Sequence, residues 1–521
     1  PSRFLADISD NLVTNQGKRV GSRRETYTND MRWPTTGVTT TGSKPQPRNV
    51  ALPDAKYKPG MRVDGLIYAD ERLIGQIRND QAPEQVANVA TLPGIQAHSL
   101  AMPDIHWGYG FPIGGVAATD PREGGVVSPG GVGYDINCGV RVVRSNLVFA
   151  DVRDRLRALV DALFEGIPSG VGRTGKYRFE ASRMRHLLAE GPQYLVRTRG
   201  LGTERDLEFT EAGGHLEGAD PDFVSPRAFA RGEEQCGTLG SGNHFLEVQV
   251  VDRIADEEAA RVMGLFEGQV VVLIHSGSRG LGYQICEDFL AKLRRVPERY
   301  GIDLPDRQLV CAPVDSAEGR QYLGAMRAAA NFAWCNRQLL MQQAREVFAR
   351  VFGRPWEALD MHLVYDVAHN IAKFERHRIG GRSKTLCVHR KGATRAFPPG
   401  HPEIPQAYRG IGQPVLIPGS MGTASWILVG QPGSMEQTFG TTCHGAGRRM
   451  SRTAAVREAH GRRIDEELQQ LGIIARARSR RELPEEQPKA YKDVDAVVDV
   501  VHRAGLSRKV ARCRPIGVVK G

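Results

Sequence analysis

The chain has 521 residues, a formal net charge of +11 and 40% hydrophobic residues, enough for one large domain or two or three average ones. No run of about 18 apolar residues occurs, which excludes an ordinary membrane helix, and the N-terminal "PSRFLADISDNLVTNQGKRV" lacks the apolar block of a secretory signal; a cytoplasmic protein is expected. The eight cysteines form no C-x-x-C pair and are spread thinly over a large chain, so reduced buried thiols are expected in place of a disulfide framework, and any of them can serve as a metal ligand.

Residues 1–57 read as a polar arm. The stretch 21–50 is threonine-rich and nearly free of aliphatics, and cannot bury much. The globular pattern begins at about residue 58. "DVRDRLRALVDALF" (151–164) has helical periodicity. "GVGRTGKY" (170–177) imitates a phosphate loop, but Tyr177 fills the place of the small hydroxyl, and a helix precedes it where a strand is required. "GQVVVLIHSGSRG" (268–280) and "MHLVYDVAHN" (361–370) are predicted strands that run into polar loops. Helices are predicted over 319–352 and 454–472, and a charged, proline-containing loop over 478–490. Glycine, at 59 residues, exceeds the usual share of about 7%. The excess falls in loops after strands, where ligands tend to bind.

Chemistry gathers at those loops. "GGVGYDINCGVR" (130–141) sets Asp135 and Cys138 on one tight, glycine-flanked loop. His244 lies in "GSGNHFLE" (240–247), His275 in the 268–280 stretch and His369 in the 361–370 stretch. All three histidines read as strand, then ring, then small polar residues. One carboxylate, one thiolate and three imidazoles exceed what one tetrahedral ion takes, and a pair of ions sharing the thiolate uses all five. The donor types leave the metal open: thiolate and imidazole suit zinc, and the carboxylate tolerates manganese.

"TFGTTCHGAGRRMSR" (438–452) isolates His444 beside Gly445 and Gly447, ahead of the arginine-rich segment 448–463. Backbone amides there can approach a phosphate, and a neutral imidazole is a competent nucleophile. Attack on a nucleotide α-phosphate would give a phosphoramidate. The lysine signature K-x-D-G of ordinary nucleic-acid ligases does not occur.

Several long blocks occur in one order: "MPDIHWGYGFPIGG" (102–115), "SPGGVGYDINCGVR" (128–141), "GTLGSGNHFLEVQ" (237–249), "IHSGSRGLG" (274–282), "YDVAHNIAKFE" (365–375), "VHRKGATRAFPPG" (388–400), "PGSMGTASW" (418–426), "FGTTCHGAGR" (439–448) and "RPIGVVKG" (514–521). From about residue 58 to the last glycine the chain resembles the RtcB family of RNA-splicing ligases. Trp107 and Ala424 depart from the family pattern, and the first 50 residues match nothing in it.

The resemblance implies an α+β fold: one large mixed domain over 58–521, with several β-sheets, interleaved helices and a central metal and nucleotide cleft. It implies an enzyme of tRNA splicing or RNA repair that joins a 2′,3′-cyclic phosphate or 3′-phosphate RNA end to a 5′-hydroxyl end, using GTP and two manganese ions. His444 would carry GMP, with Asp104 orienting it. Cys138 would bridge the ions, with Asp135 and His244 on one and His275 and His369 on the other. The guanylate pocket would take in Asn243, His244, Phe245, Leu246 and Glu247, then His369 and Asn370, Pro418, Gly419, Ser420, Met421 and Ser425, then His444, Gly445, Ala446, Gly447, Tyr491 and Lys520. Arg279, Lys391, Arg395 and Arg448 are candidate RNA-phosphate contacts. A monomer is expected, with archease as a possible activating partner. Two rivals are a metal-dependent phosphoesterase that opens cyclic phosphates and stops, and a non-catalytic RNA-binding subunit.

Overall fold

Short, β-branched apolar runs make the largest sheet of the computed structural model, which describes residues 49–51, 58–479 and 482–521. Seven strands lie in the order Leu363–Ala368, Gly139–Val148, Gln269–Ser276, Phe245–Ile254, Ser507–Lys520, Ser425–Gly430 and Pro414–Ile417, and Ile474–Ala477 pairs parallel with Ser507–Lys520. The end strands Leu363–Ala368 and Pro414–Ile417 come back into contact, so the sheet curls almost into a barrel. Every residue of Gln269–Ser276 is buried. That explains a continuous apolar run where alternation would mark a strand with one wet face.

A second, six-stranded sheet has the order Asn49–Ala51, Asp64–Tyr68, His98–His106, Ile113–Thr119, Arg382–Lys391 and Asn370–Ile379. The chain leaves the first sheet at Ala368 and enters the second at Asn370. His369 is the single residue between them. A two-stranded ribbon, Ala393–Arg395 with Thr441–Cys443, carries the chain to His444.

The predicted helix over 319–352 is Ala317–Phe352. Ser316 caps it by accepting from Gly319 N, and Gly353 ends it in the left-handed conformation at φ 65°. It packs on the large sheet and on Leu156–Gly166, Ala181–Glu190 and Arg279–Lys292. Most of it is buried, so no clean polar face marks it. The helix predicted over 151–164 comes as Phe149–Arg153 and Leu156–Gly166, divided where Arg155 N donates to Val152 O in a tighter turn. That over 454–472 divides into Arg452–Glu458 and Ile464–Gln470, because Gly461 takes φ 79°. Within the expected loop 478–490, Glu482–Glu485 forms a helical turn and Pro488–Ala490 a 3-10 turn.

The α+β expectation holds. Apart from Asn49–Ala51, the expected arm 1–57 lies outside the described residues. Among the described residues no helix is long and apolar enough to cross a membrane.

Candidate metal and nucleotide site

Asp135 and Cys138 sit on the loop between Pro129–Gly131 and the strand Gly139–Val148. Asn137, between them, takes φ 53°, a left-handed conformation asparagine tolerates better than most residues. Register places the rest. His275 pairs with Val140 on one side and with Phe245 on the other, so Cys138, His244 and His275 lie at one end of three adjacent strands. His369, at the crossing between sheets, completes the set. His244 precedes its strand, whereas His275 lies within the end of one and His369 follows one.

Two overlapping groups result: Cys138, His275 and His369, and Asp135, Cys138 and His244, with the donor atoms of each within 4.8 Å of one another. Cys138 Sγ lies 3.3 Å from His275 Nε2 and 3.4 Å from His244 Nε2. His275 Nε2 and His369 Nε2 face each other at 3.2 Å, and the Nδ1 atoms of both rings are buried without a hydrogen-bond partner. Burial, first, and the neighbouring rings hold both imidazoles well below their ordinary pKa. Two neutral rings can share only one proton between facing nitrogens. A thiol and two such nitrogens converging in a dry pocket suit a cation, and the donor set fits a divalent transition metal.

The second group is built differently. His244 Nε2 lies 2.8 Å from Asp135 Oδ2, and Arg279 Nη1 donates to His244 Nδ1 at 2.9 Å. Asp135 Oδ1 also accepts from Ser278 N at 2.9 Å. Burial raises the Asp135 carboxyl, but His244 and Arg279 outweigh it and hold it at about 2.

His444 meets this cluster from the other side, its ring centroid 5.1 Å from that of His369. Asp104, fully buried on the strand His98–His106, lies 2.5 Å from His444 Nδ1. The same oxygen, Oδ2, accepts from His444 N at 2.9 Å and Gly445 N at 3.2 Å. Burial pushes the Asp104 carboxyl up; His444, and after it Lys492, overcome that and hold it below its ordinary range. With Nδ1 engaged, Nε2 keeps its lone pair.

Hydrogen bonds and strand register link several of the expected pocket residues. Ala446 N donates to Pro418 O at 3.1 Å. Gly419 N donates to Ser425 Oγ, which accepts from Gln249 Nε2 at 3.0 Å, and Gln249 Nε2 also donates to Glu247 Oε2 at 2.7 Å. Glu247 Oε1 is buried and unpartnered. Lys520 pairs in register with Phe245, and its ammonium stands 5.5 Å from the Phe245 ring centroid. Ser420 and Met421 belong to the turn that follows Gly419. Asn370 takes Gly392 N on Oδ1 at 2.8 Å and donates to Asp135 O at 3.1 Å. Asn243 is the half-buried neighbour of His244. Two side chains turn away: Leu246 enters the main core, and Met421 packs with Leu468 and Val518.

The four arginine and lysine candidates separate. Arg279 touches His244. Arg448 Nη1 reaches Glu486 at 3.1 Å and Tyr491 OH at 3.2 Å. Lys391 is buried and donates to Tyr109 O. Arg395 is buried between Gln413 and Glu403, at 3.1 and 2.5 Å.

Three participants escaped the sequence reading. Glu486 is buried, accepts from Tyr491 OH and lies 3.9 Å from Lys520 Nζ. Lys492 donates to Pro103 O and Ile105 O, on either side of Asp104. Gln249 links Glu247 to Ser425. Glu486 sits in the charged, proline-containing loop expected over 478–490, and Lys492 just beyond it. The polar Gln249 among valines was the available signal.

Comparison with known proteins points to one family. The family model described as "tRNA-splicing ligase RtcB" matches residues 85–521. The chain is 57% identical over 466 residues to the tRNA-splicing ligase RtcB of Thermococcus kodakarensis, covering 89% of this chain and 96% of that one. It is 58% identical over 465 residues, with the same coverage, to the protein of that name from Archaeoglobus fulgidus. It is 54% identical over 439 residues to the RNA-splicing ligase RtcB of Mycobacterium tuberculosis, covering 84% of this chain and 100% of that one.

Proposed function

The chain belongs to the RtcB family of RNA-splicing ligases, and from that premise we propose that it joins RNA ends bearing a 2′,3′-cyclic phosphate or 3′-phosphate to 5′-hydroxyl ends through a guanylylated His444. The observation that carries the proposal is the Asp104 contact with His444 Nδ1, which aims a free Nε2 lone pair beside the paired metal-capable groups. Asp135, Cys138, His244, His275 and His369 would hold two manganese ions, which when bound neutralise phosphate charge and act as Lewis acids.

His444 Nε2 forms a bond to the α-phosphorus of GTP, and the bond to the bridging oxygen of pyrophosphate breaks. Asp104 keeps the ring in the attacking tautomer and stabilises the cationic imidazole that forms. GMP then passes from His444 to the RNA 3′-phosphate. The 5′-hydroxyl attacks that phosphate, a phosphodiester forms and GMP leaves. A cyclic end is first opened by water to a 3′-phosphate. Glu247 provides the acceptor for a guanine edge, and its unpartnered oxygen is the feature that favours guanine over adenine. Arg279, beside His244, is the best placed of the candidate RNA-phosphate contacts.

Mass spectrometry after incubation with GTP and manganese tests this. Wild type should gain one GMP by an acid-labile bond, and His444→Ala should gain none. A wild type that opens cyclic phosphates but never carries GMP would establish the phosphoesterase reading instead.

A further inference from the structure

The long helix Ala317–Phe352 buries Arg337 at 0% exposure directly behind the Cys138, His275 and His369 group. Its guanidinium spends its donors on three segments of chain. Nη1 donates to Asn137 O at 2.7 Å and to Ser276 O at 3.0 Å, and Nη2 donates to Asn137 Oδ1 at 3.0 Å. Nε and Nη2 each lie 2.8 Å from Asp366. Asn137 precedes Cys138, Ser276 follows His275, and Asp366 stands three residues before His369 on the strand Leu363–Ala368. One planar fork therefore touches the backbone neighbours of two members of the group and the strand that delivers the third.

The surroundings are cut to admit it. A Cβ on Gly139 would collide with Val367 O and lie 3.0 Å from the guanidinium carbon. Asn137 holds its left-handed backbone while bonded on both sides, to Arg337 and through Nδ2 to Ala330 O at 2.7 Å. Asp366 also accepts from Arg141 Nε at 2.8 Å and Trp334 Nε1 at 3.1 Å, so the carboxylate stays paired if Arg337 is shortened.

We propose that Arg337 is a positioning residue that fixes the relative placement of Cys138, His275 and His369, and so sets the affinity and geometry of the cation they hold. This rests on the reading that the group binds a metal. Arg345 supplies the matched control. It lies on the same helix at the same 0% exposure and forks onto Asp206 at 2.8 Å through both Nη atoms, but its remaining bond goes to Met361 O, away from the group.

The test is a Co²⁺ titration of the full-length protein, followed by the near-ultraviolet thiolate-to-cobalt absorption and by calorimetry. Arg337→Lys keeps the charge but cannot form the fork, and should weaken the step assigned to this group by about 10–100-fold, the range for groups that orient ligands. Arg345→Lys should leave both steps within about twofold while lowering the melting temperature, since it loses buried hydrogen bonds without touching a ligand segment. Asn137→Ala removes the receiving side chain on the Cys138 loop and should weaken the same step; it carries the test if Arg337→Lys does not fold. Equal losses in Arg337→Lys and Arg345→Lys, or none in a folded Arg337→Lys, would overturn the proposal. A wild type without any thiolate–cobalt absorption would overturn the metal reading itself, and the inference with it.

Discussion

The two groups that share Cys138 differ in how much of their chemistry the protein already satisfies. In the group with His275 and His369, the rings are at most 3% exposed, face each other through Nε2 and leave both Nδ1 atoms bare. In the group with Asp135 and His244, the Asp135 side chain is 29% exposed, and Arg279 and Ser278 already donate to its members. In the first pocket a cation displaces only the long ring-to-ring and ring-to-thiol contacts, at 3.2 and 3.3 Å. The second must exchange existing hydrogen bonds for it. Two donor sets that share a thiolate but differ in their other ligands and surroundings thus suit a tight resident site and a weaker, exchangeable one, and the proposed ions should bind with unequal affinity.

The comparison breaks most completely at the shared atom. Cys138→Ala should remove both steps of a metal titration at once, and ligation should fall by about 10²–10³-fold, the scale of losing a directly acting electrostatic group. Calorimetry with Mn²⁺ and a sealing assay read both. A variant that keeps one full-affinity step would show that the thiolate serves a single ion.

Deleting the rings separately sharpens the contrast. His369→Ala should abolish the tighter step and spare the weaker. His244→Ala should do the reverse and leave residual activity at high Mn²⁺. If both variants lose the same step, the two groups act as one site.

These pairings show what the sequence could and could not reveal. Each ring lay in a glycine- or small-residue context at the end of an apolar run, so its candidacy was legible. Direction was not: small residues flank His244 and His275 alike, and only the ladder places His244 before its strand. The helix Ala317–Phe352 was legible nearly to its ends because a serine cap and Gly353 bracket it. The role of Arg337 was not, although a lone arginine inside "AAANFAWCNRQLLM" is a signal that a buried partner must exist. Lys520 faces Phe245 across 275 residues of sequence, and nothing local encodes such a register.

Asp104→Asn tests whether His444, the proposed acceptor of GMP, is independent of both groups. The amide cannot stabilise a cationic ring, so GMP transfer to His444 should slow by about 10²-fold, as for a lost carboxylate behind a working imidazole. Neither metal step should change, because the described hydrogen bonds of the Asp104 carboxylate go to His444 and Gly445 and to no member of either group. Rapid-quench labelling with α-labelled GTP separates these outcomes. Loss of a metal step would mean that His444 is itself a ligand.

The smallest expected effect concerns protons. Burial raises the Glu247 carboxyl from an ordinary 4.5 to about 8, against the pull of Gln249 and Lys520, so the free protein holds it protonated at neutral pH. Because the folded value lies above the unfolded one, its contribution to stability is complete below pH 4.5 and is lost as pH rises through about 8. Glu247→Gln should therefore flatten the fall in melting temperature over that interval. A guanine edge with two N–H donors favours the carboxylate and reverses the preference. GTP binding near pH 7 should then release about one proton, read as a binding enthalpy that changes with the ionisation enthalpy of the buffer. Glu247→Gln should abolish that dependence while both metal steps persist. A wild type whose enthalpy ignores the buffer would mean that the base is recognised by another group, and that the unpartnered Glu247 oxygen belongs to the fold and not to the pocket.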